Sequence, residues 1–318
     1  MRLHENKELF TTALDKAEMT LNIKKHFIEK DYWLCLCLQR MVRVDEAHHA
    51  VFKGGTSLTK AYGIGNRFSE DLDVAIADAH LMSGNQLKTT IRRIAHSITE
   101  GLQEVVKAET SKGSHYHKAF YHYPTISDVP TSKAVRVGEL LLEINSFANP
   151  YPWQMRTIRS FIAEYMYQTG NDALVEQFDL ADFEVPTLDY RRTLTEKLVS
   201  LMRCSLADDY LTQMIAKIRH FYDLHHLYQD IECRTYIESN EFREDFSNLF
   251  EHDRRSFAKP TGWQQRSLSE SPLITNFHST WLQLQPTYMR ELPQLAYRDI
   301  PAPEEVEYSI KEILSSVV

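Results

Sequence analysis

The apolar positions change rhythm several times along the chain. Between residues 5 and 41 they recur at near-helical intervals. Leu9, Phe10 and Leu14 come first, then Ile23, Phe27, Ile28, Leu34, Leu36 and Leu38, a spacing that predicts helices. Residues 50–53 and 72–77 are short apolar runs that predict strands, with a short helical segment from Leu58 to Tyr62 between them. Residues 83–108 read as one helix that starts on Ser83 and places Ile91, Ile94, Ile98, Leu102 and Val105 on one face. The period then falls towards two. Residues 115–125 are rich in Tyr, His and Phe, and residues 134–147 alternate through Val135, Val137, Leu140, Leu142 and Ile144. The turn residues of the 127–131 segment join the two runs into an expected β-hairpin.

Asn149-Pro150-Tyr151-Pro152 interrupts the pattern, and a domain boundary is expected there. Residues 1–149 form the expected α+β part and residues 150–318 a mainly helical one. In the second part only residues 183–187 read as extended. Residues 190–204 and 210–228 show helical spacing, and the tail from Ser239 is helical with interruptions at Pro260, Pro272, Pro286, Pro293 and Pro301.

Composition narrows the class. The chain has 318 residues, 43% of them hydrophobic and 25% charged, as in soluble globular proteins. Its formal net charge of −8 will not draw polyanions by a whole-protein field. The N-terminus lacks the apolar stretch of a signal peptide, and no apolar run reaches the length of a membrane span. Cys35, Cys37, Cys204 and Cys233 lack metal-ligand spacing and read as free thiols of a reducing compartment. The expected location is the cytoplasm, with no membrane partner. Histidines are numerous, but no spacing among them suits a zinc site.

The chemistry concentrates in one stretch. Val51-Phe52-Lys53-Gly54-Gly55-Thr56-Ser57-Leu58 ends an apolar run in two glycines and two hydroxyl residues. Arg67-Phe68-Ser69-Glu70-Asp71-Leu72-Asp73-Val74 then opens a strand with two aspartates one residue apart. Strand side chains alternate faces, so Asp71 and Asp73 point the same way. Two adjacent carboxylates repel unless a cation sits between them, and a divalent metal with hard oxygen ligands, Mg²⁺ above all, meets that need. The glycine pair allows a tight turn and close approach of a phosphate to backbone N–H groups. A strand–turn–strand carrying a solvated aspartate pair is the bland alternative.

This stretch resembles the signature of the DNA polymerase β-like nucleotidyltransferases, an apolar-Gly-Gly/Ser motif followed by Asp-apolar-Asp/Glu-apolar. More narrowly, the run from Phe52 through Asp73 is similar to that of the AbiEii/AbiGii toxins of bacterial abortive-infection and toxin–antitoxin systems. The resemblance extends upstream to Glu29-Lys30-Asp31-Tyr32, where the same three charges could otherwise be the solvated face of an amphipathic helix. It implies a polymerase β-like palm, with Glu143 in Leu142-Glu143-Ile144-Asn145 as a third carboxylate on the strand next to Asp71 and Asp73. It also implies essential roles for Lys197 in a Glu-Lys-apolar element and for Asp223 in an Arg-x-x-Asp-Leu-like element. Here that second element opens Arg219-His220 in place of Arg-Asp. From the residues alone, Lys197 could be an edge lysine, Glu143 a solvent-facing strand acid, and Asp223 the partner of Arg219 four residues earlier.

The implied reaction moves a nucleoside monophosphate from an NTP to an acceptor hydroxyl, with a tRNA or other RNA end as the expected acceptor. Asp71, Asp73 and Glu143 would hold two Mg²⁺ ions. Lys53, Gly54, Gly55, Thr56, Ser57 and Ser69 would receive the NTP, with its β- and γ-phosphates on Gly55, Thr56 and Ser57. Lys197 would offset charge as pyrophosphate leaves, from a helical domain that closes the cleft. A cognate antitoxin is the implied partner. The alternatives are a small-molecule or protein nucleotidyltransferase and a degenerate, non-catalytic NTP-binding module. A polynucleotide acceptor requires a basic path, for which Arg191, Arg192, Arg203, Lys217 and Arg219 are the candidates.

Overall fold

Strand β1 (Ala50–Lys53) is short and wholly apolar except at its end, and it lies inside a mixed sheet. A computed structural model of the chain describes residues 1–128 and 136–317. Among these, eight strands form that sheet: β1, β2 (Asp71–Ile76), β3 (Gln103–Val105), β4 (Ser111–Lys112), β5 (Tyr116–His122), β6 (Glu139–Asn145), β7 (Trp153–Ile158) and β8 (Phe183–Leu188). Their order is β3-β5-β6-β2-β1-β8-β7, with β4 paired to β5. Strand β2 sits between β1, antiparallel, and β6, parallel. The expected hairpin is present as the antiparallel β5–β6 pair. Its 129–131 turn residues and Ala134 and Val135 lie outside the described residues.

Helix α1 (Lys7–Leu21) is capped by Asn6, whose side chain accepts from the Leu9 N–H, and ends at Asn22 in the left-handed region. Helix α2 (Lys25–Met41) is not amphipathic in place. Every residue from Phe27 to Gln39 is buried. Helix α3 (Gly54–Tyr62) starts at the first glycine, four residues earlier than its apolar pattern suggests, and stops at Gly63 with φ 66°. Helix α4 (Gly84–Ile98) carries the predicted Ser83 cap but ends ten residues sooner than expected. The chain turns at Gly101 (φ 74°), a conformation that glycine adopts with no Cβ penalty, and uses 103–105 as β3. Helices α5 (Phe161–Gln168) and α6 (Asp172–Gln177) follow β7, and α1, α4 and α5 all pack on α2.

By contacts the chain divides into two units, residues 1–63 with 68–188 and residues 64–67 with 189–318. The boundary thus falls at 188/189 and not at 149/150. Residues 150–188 stay with the first unit because they supply β7 and β8, and β8 pairs with β1 at Phe52 and Thr187. Strand β7 had no clear alternation to announce it. Half of its residues are exposed and only Ile158 is buried, as an edge strand allows.

The second unit is helical: α7 (Tyr190–Ser205), α8 (Tyr210–Ile215), α9 (Ile218–Gln229), α10 (Ile231–Ile237), α11 (Asn240–Ser256), α12 (Pro272–Thr275), α13 (Phe277–Leu295) and α14 (Pro303–Ser315). The expected 210–228 helix is two helices, broken at Ala216 and Lys217. Pro286 and Pro293 do not interrupt α13, whereas Pro272 opens α12 at a position where its missing N–H costs nothing. Helix α9 buries Phe221, Tyr222 and Leu224 completely and is packed by α7, α10, α13 and α14. Residues 64–67 are stitched into this unit. Asn66 N–H donates to the Tyr222 hydroxyl (2.9 Å), Tyr297 N–H donates to Asn66 O (2.9 Å), and Arg67 bridges to Ala296. No described helix is long and apolar enough to cross a membrane.

Candidate active site

The site begins where β1 gives way to α3. Gly54 has φ 81°, a conformation that L side chains rarely adopt. A Cβ there would also run into the Asp73 carboxylate, 2.9 Å from Cγ and closer still to Oδ2. Glycine is therefore required twice, by the backbone and by Asp73. The residue before α3, Lys53, makes no side-chain cap, which leaves the first-turn N–H groups of the helix to other partners. The two hydroxyls brace the turn. Thr56 donates to the main-chain O of Asp71 and Ser57 to that of Gly54 (2.9 Å), and both residues are buried.

Register aligns four charges across the sheet. Lys53 of β1 lies opposite Asp73 of β2, Asp73 beside Glu143 of β6, and Glu143 opposite Lys118 of β5. Residues in register on neighbouring strands share a face, and Asp71, two residues before Asp73, shares it too. Lys118 Nζ stands 2.7 Å from Glu143 Oε1. The Tyr116 hydroxyl also hydrogen-bonds Glu143, and burial together with that carboxylate pushes its pKa far up. Asp71 Oδ1 is paired with Arg136 Nη2 at 2.8 Å. The strand acid Glu143 is thus half-buried and held by Lys118 and Tyr116, not pointed freely at solvent.

A network built on α2 joins this face through Arg136, which meets both Glu70 and Asp71. Glu29, Lys30 and Asp31 are all buried, so the solvated-face alternative fails for each of them. Consecutive helix positions point about 100° apart, and in an enclosed helix each meets a different element. Glu29 accepts from Thr125 Oγ1 (2.8 Å), Ile126 N (2.7 Å) and Ser127 N (3.0 Å). Lys30 pairs with Glu70 (3.2 Å) and donates to Arg136 O (2.9 Å). Asp31 pairs with Lys60 of α3 (2.7 Å) and accepts from the first N–H of α5, that of Phe161 (2.7 Å). Burial alone would raise the Glu70 carboxyl, but Lys30 and the Arg136 N–H outweigh it and hold the pKa below its ordinary value. Ser69, beside Glu70, is buried as well.

In the second unit Lys197 and Asp223 come together, Nζ to Oδ2 at 2.8 Å. Lys197 is 7% exposed and is not an edge lysine with its head in water. Asp223 is not held by Arg219. Its carboxylate is gripped by the Arg67 fork, Nε to Oδ1 at 2.7 Å and Nη2 to Oδ2 at 2.6 Å. Burial would raise the Asp223 pKa, but the Arg67 and Lys197 charges hold it well below the carboxylate range. Burial, with Lys197 nearby, keeps His220 neutral at ordinary pH. Sequence reasoning assigned no role to Arg67, Lys118 or Arg136. Arg67 stands four residues before Asp71 in the recognised stretch, and that position was its only signal. Lys118 gave none, because cross-strand register is invisible before strands are paired, and Arg136 gave none, because it stands outside the strands and meets Asp71 65 positions away.

The donor set suits a hard divalent cation, since Asp71, Asp73 and Glu143 offer only oxygen from one face. Among the described residues no three His, Cys, Asp or Glu side chains converge as a ready metal-binding group. Asp71 and Glu143 are instead engaged by Arg136 and Lys118.

Comparison with proteins of curated function yields no match. Among solved structures, MenT4, a nucleotidyltransferase toxin from Mycobacterium tuberculosis H37Rv, aligns over 97% of both chains with a TM-score of 0.51 at 14% identity. JHP933 from Helicobacter pylori aligns over 86% of this chain and 96% of its own with a TM-score of 0.38 at 16% identity. The first likeness shows that the fold, a mixed sheet with flanking helices and a largely helical remainder, is that of a nucleotidyltransferase toxin. The profile of the family described as nucleotidyl transferase AbiEii toxin, type IV TA system, matches residues 36–308. The chain belongs to the AbiEii family of nucleotidyltransferase toxins of type IV toxin–antitoxin systems.

Proposed function

We propose that this nucleotidyltransferase moves a nucleoside monophosphate from an NTP to an acceptor hydroxyl at the end of a tRNA or other RNA. The observation that carries the reading is the register that sets Asp71, Asp73 and Glu143 on one face of adjacent strands, next to a glycine turn that tolerates no Cβ. Asp71, Asp73 and Glu143 would hold two Mg²⁺ ions, which when bound offset the triphosphate charge and make the acceptor hydroxyl more acidic. The acceptor oxygen forms a bond to the α-phosphorus as the bond to the bridging oxygen breaks, and pyrophosphate departs. Glu143 is the proposed recipient of the acceptor proton. Lys53, Gly54, Gly55, Thr56 and Ser57 receive the phosphates chiefly through main-chain N–H groups, because the Thr56 and Ser57 hydroxyls are committed to carbonyls. Ser69 is proposed to complete the NTP site. Lys197, aligned by Asp223, is the proposed cation for the departing pyrophosphate. A cognate antitoxin is the proposed protein partner.

A second acceptor class is favoured by one observation. Arg191 pairs with Asp189, Arg203 with Asp253 and, at 4.0 Å, Arg192 with Glu196. Three of the five candidate RNA-binding cations thus have acids of their own, which suits a small-molecule or protein acceptor. Incubation with each labelled NTP, Mg²⁺ and either total tRNA or a cleared cell extract decides between them. Label in tRNA that disappears with Asp71→Asn supports the RNA reading. Label only in protein or small molecules replaces it, and no Asp71-dependent label anywhere ends the nucleotidyl-transfer reading. Expression without an antitoxin should slow bacterial growth, and Asp71→Ala should relieve the effect.

A further inference from the structure

Of the basic groups on the acidic face, Lys118 and Arg136 have no part in the reaction as proposed above, and Arg136 is held with unusual care. We infer that Arg136 is the resident counter-ion of Asp71, which a divalent cation must displace in order to bind. The inference rests on the proposed role of Asp71 as a metal ligand and adds the residue that regulates it.

Both main-chain polar groups of Arg136 are clamped. Its N–H donates to Glu70 Oε1, and its carbonyl accepts from Lys30 Nζ at 2.9 Å. Glu70 and Lys30 form an ion pair whose side chains are 4% and 1% exposed. A buried pair of this kind adds little net stability over apolar residues, so its use lies in fixing position. What it fixes here is residue 136. The guanidinium beyond that clamp lies beside the Phe120 ring, 5.9 Å from its centroid, and reaches Asp71 Oδ1 at 2.8 Å. It is 31% exposed, and Asp71 is 25% exposed. The main chain is therefore held rigidly and Nε stays 3.6 Å from Glu70 Oε2, while the outer end of the guanidinium is wet enough to leave Asp71. A metal ion and a guanidinium cannot share one carboxylate oxygen without strong mutual repulsion. Arg136 keeps Asp71 neutralised beside Asp73 in the metal-free protein and gives way when a metal arrives.

The test reads metal binding without turnover. Mn²⁺ is titrated into the nucleotide-free protein and free Mn²⁺ is followed by electron paramagnetic resonance, with Asp71→Asn as the reference. Removing a competing, partly exposed cation should tighten Mn²⁺ binding by Arg136→Gln about fivefold to tenfold. Arg136→Lys, which keeps the charge, should stay within about twofold of wild type. Arg136→Ser is a second truncation should the first melt early, and thermal melts accompany every titration. A merely structural role for Arg136 predicts the opposite sign, because a loosened site binds metal less well. Unchanged or weaker Mn²⁺ binding by folded Arg136→Gln and Arg136→Ser, with wild-type binding still dependent on Asp71, overturns the inference and leaves the metal reading standing. Wild-type Mn²⁺ binding that ignores Asp71→Asn overturns both.

Discussion

Helix α2 and the β2–β6 strand pair both carry charged residues, and the two regions use them in opposite ways. On α2, Glu29, Lys30 and Asp31 are 0%, 0% and 1% exposed, and each meets backbone N–H groups or a buried partner. On the strands, the side chains of Asp71 and Glu143 are about a quarter exposed and are met by the long side chains of Arg136 and Lys118. Water can re-solvate the second kind of pair when it opens, but not the first. The α2 charges are therefore fixed braces, and the strand charges are exchangeable. A site that takes up and releases a charged ligand needs the second sort, held in place by the first.

The sharpest way to break this comparison is to neutralise a strand acid. Asp73→Asn should lower nucleotidyl transfer by about 10³-fold or more, beyond the loss of a single charge-assisted donor. Its stability should move by less than about 1 kcal/mol, as for a partly exposed ion pair. A melting temperature that collapses in this variant would make Asp73 a brace like Asp31.

The converse applies on α2. Lys30→Ala leaves the buried Glu70 with only the more distant Arg136 guanidinium, Nε to Oε2 at 3.6 Å, and should destabilise the fold by about 3 kcal/mol in denaturant unfolding. The double change Lys30→Met with Glu70→Leu should recover part of that loss, because no buried charge is left unpaired. A single-variant loss below about 1 kcal/mol would place Lys30 among the exchangeable charges.

These two regions also show what the chain disclosed before it was folded. The glycine turn, Asp71 and Asp73 were legible because one rigid element carries each chemical group at a fixed sequence spacing. Strand β1 was found at its observed limits for the same local reason. The buried state of Glu29, Lys30 and Asp31 was not legible, because the residues flanking them give no hint that α1, α4 and α5 enclose the helix on several sides. Nor was the Arg67 fork on Asp223, since its partners lie 156 positions apart. The sequence offered Arg219 as the local candidate for Asp223, and a buried, bidentate, non-local partner takes the carboxylate instead. The domain limit was misplaced for a related reason. A proline-rich break looks like a linker, but β7 and β8 beyond it return to the sheet through pairing that only tertiary structure supplies.

The Arg67–Asp223–Lys197 cluster combines the two behaviours, being buried like α2 yet carrying a lysine with a proposed chemical role. Lys197→Ala should reduce turnover by about 10²-fold with a smaller effect on NTP binding, and Lys197→Arg should not restore it fully, because a planar fork does not replace a compact ammonium. The same cluster gives a signed pH effect. The folded pKa of Asp223 is depressed, so its contribution is complete above the unfolded carboxyl value of about 3.9 and falls away as pH drops through and below it. The stability gap between wild type and Asp223→Asn should hold constant from about pH 7 to pH 5 and close only below about pH 4. A gap that narrows between pH 7 and 5 would contradict the ion pairing.

The smallest effect is expected at Lys118, and it sharpens the comparison most finely. Lys118 and Glu143 are cross-strand partners in register, 2.7 Å apart, with side chains 25% and 24% exposed. Lys118→Gln removes one charge from the Lys53, Asp73, Glu143, Lys118 row and leaves Glu143 in contact with water and Tyr116. The cost to stability should be about 1 kcal/mol or less, and it should shrink as salt rises, because part-exposed pairs are screened. Lys30→Ala should show no comparable salt dependence, since its partner is out of reach of solvent ions. Denaturant unfolding of both variants at about 0.05 M and 1 M salt measures this directly, with a Debye length that falls from more than 10 Å to about 3 Å. If Lys118→Gln costs as much as Lys30→Ala and is equally indifferent to salt, the distinction between braced and exchangeable charges fails at Glu143. That carboxylate would then be a structural acid, and the proposed metal set would reduce to Asp71 and Asp73.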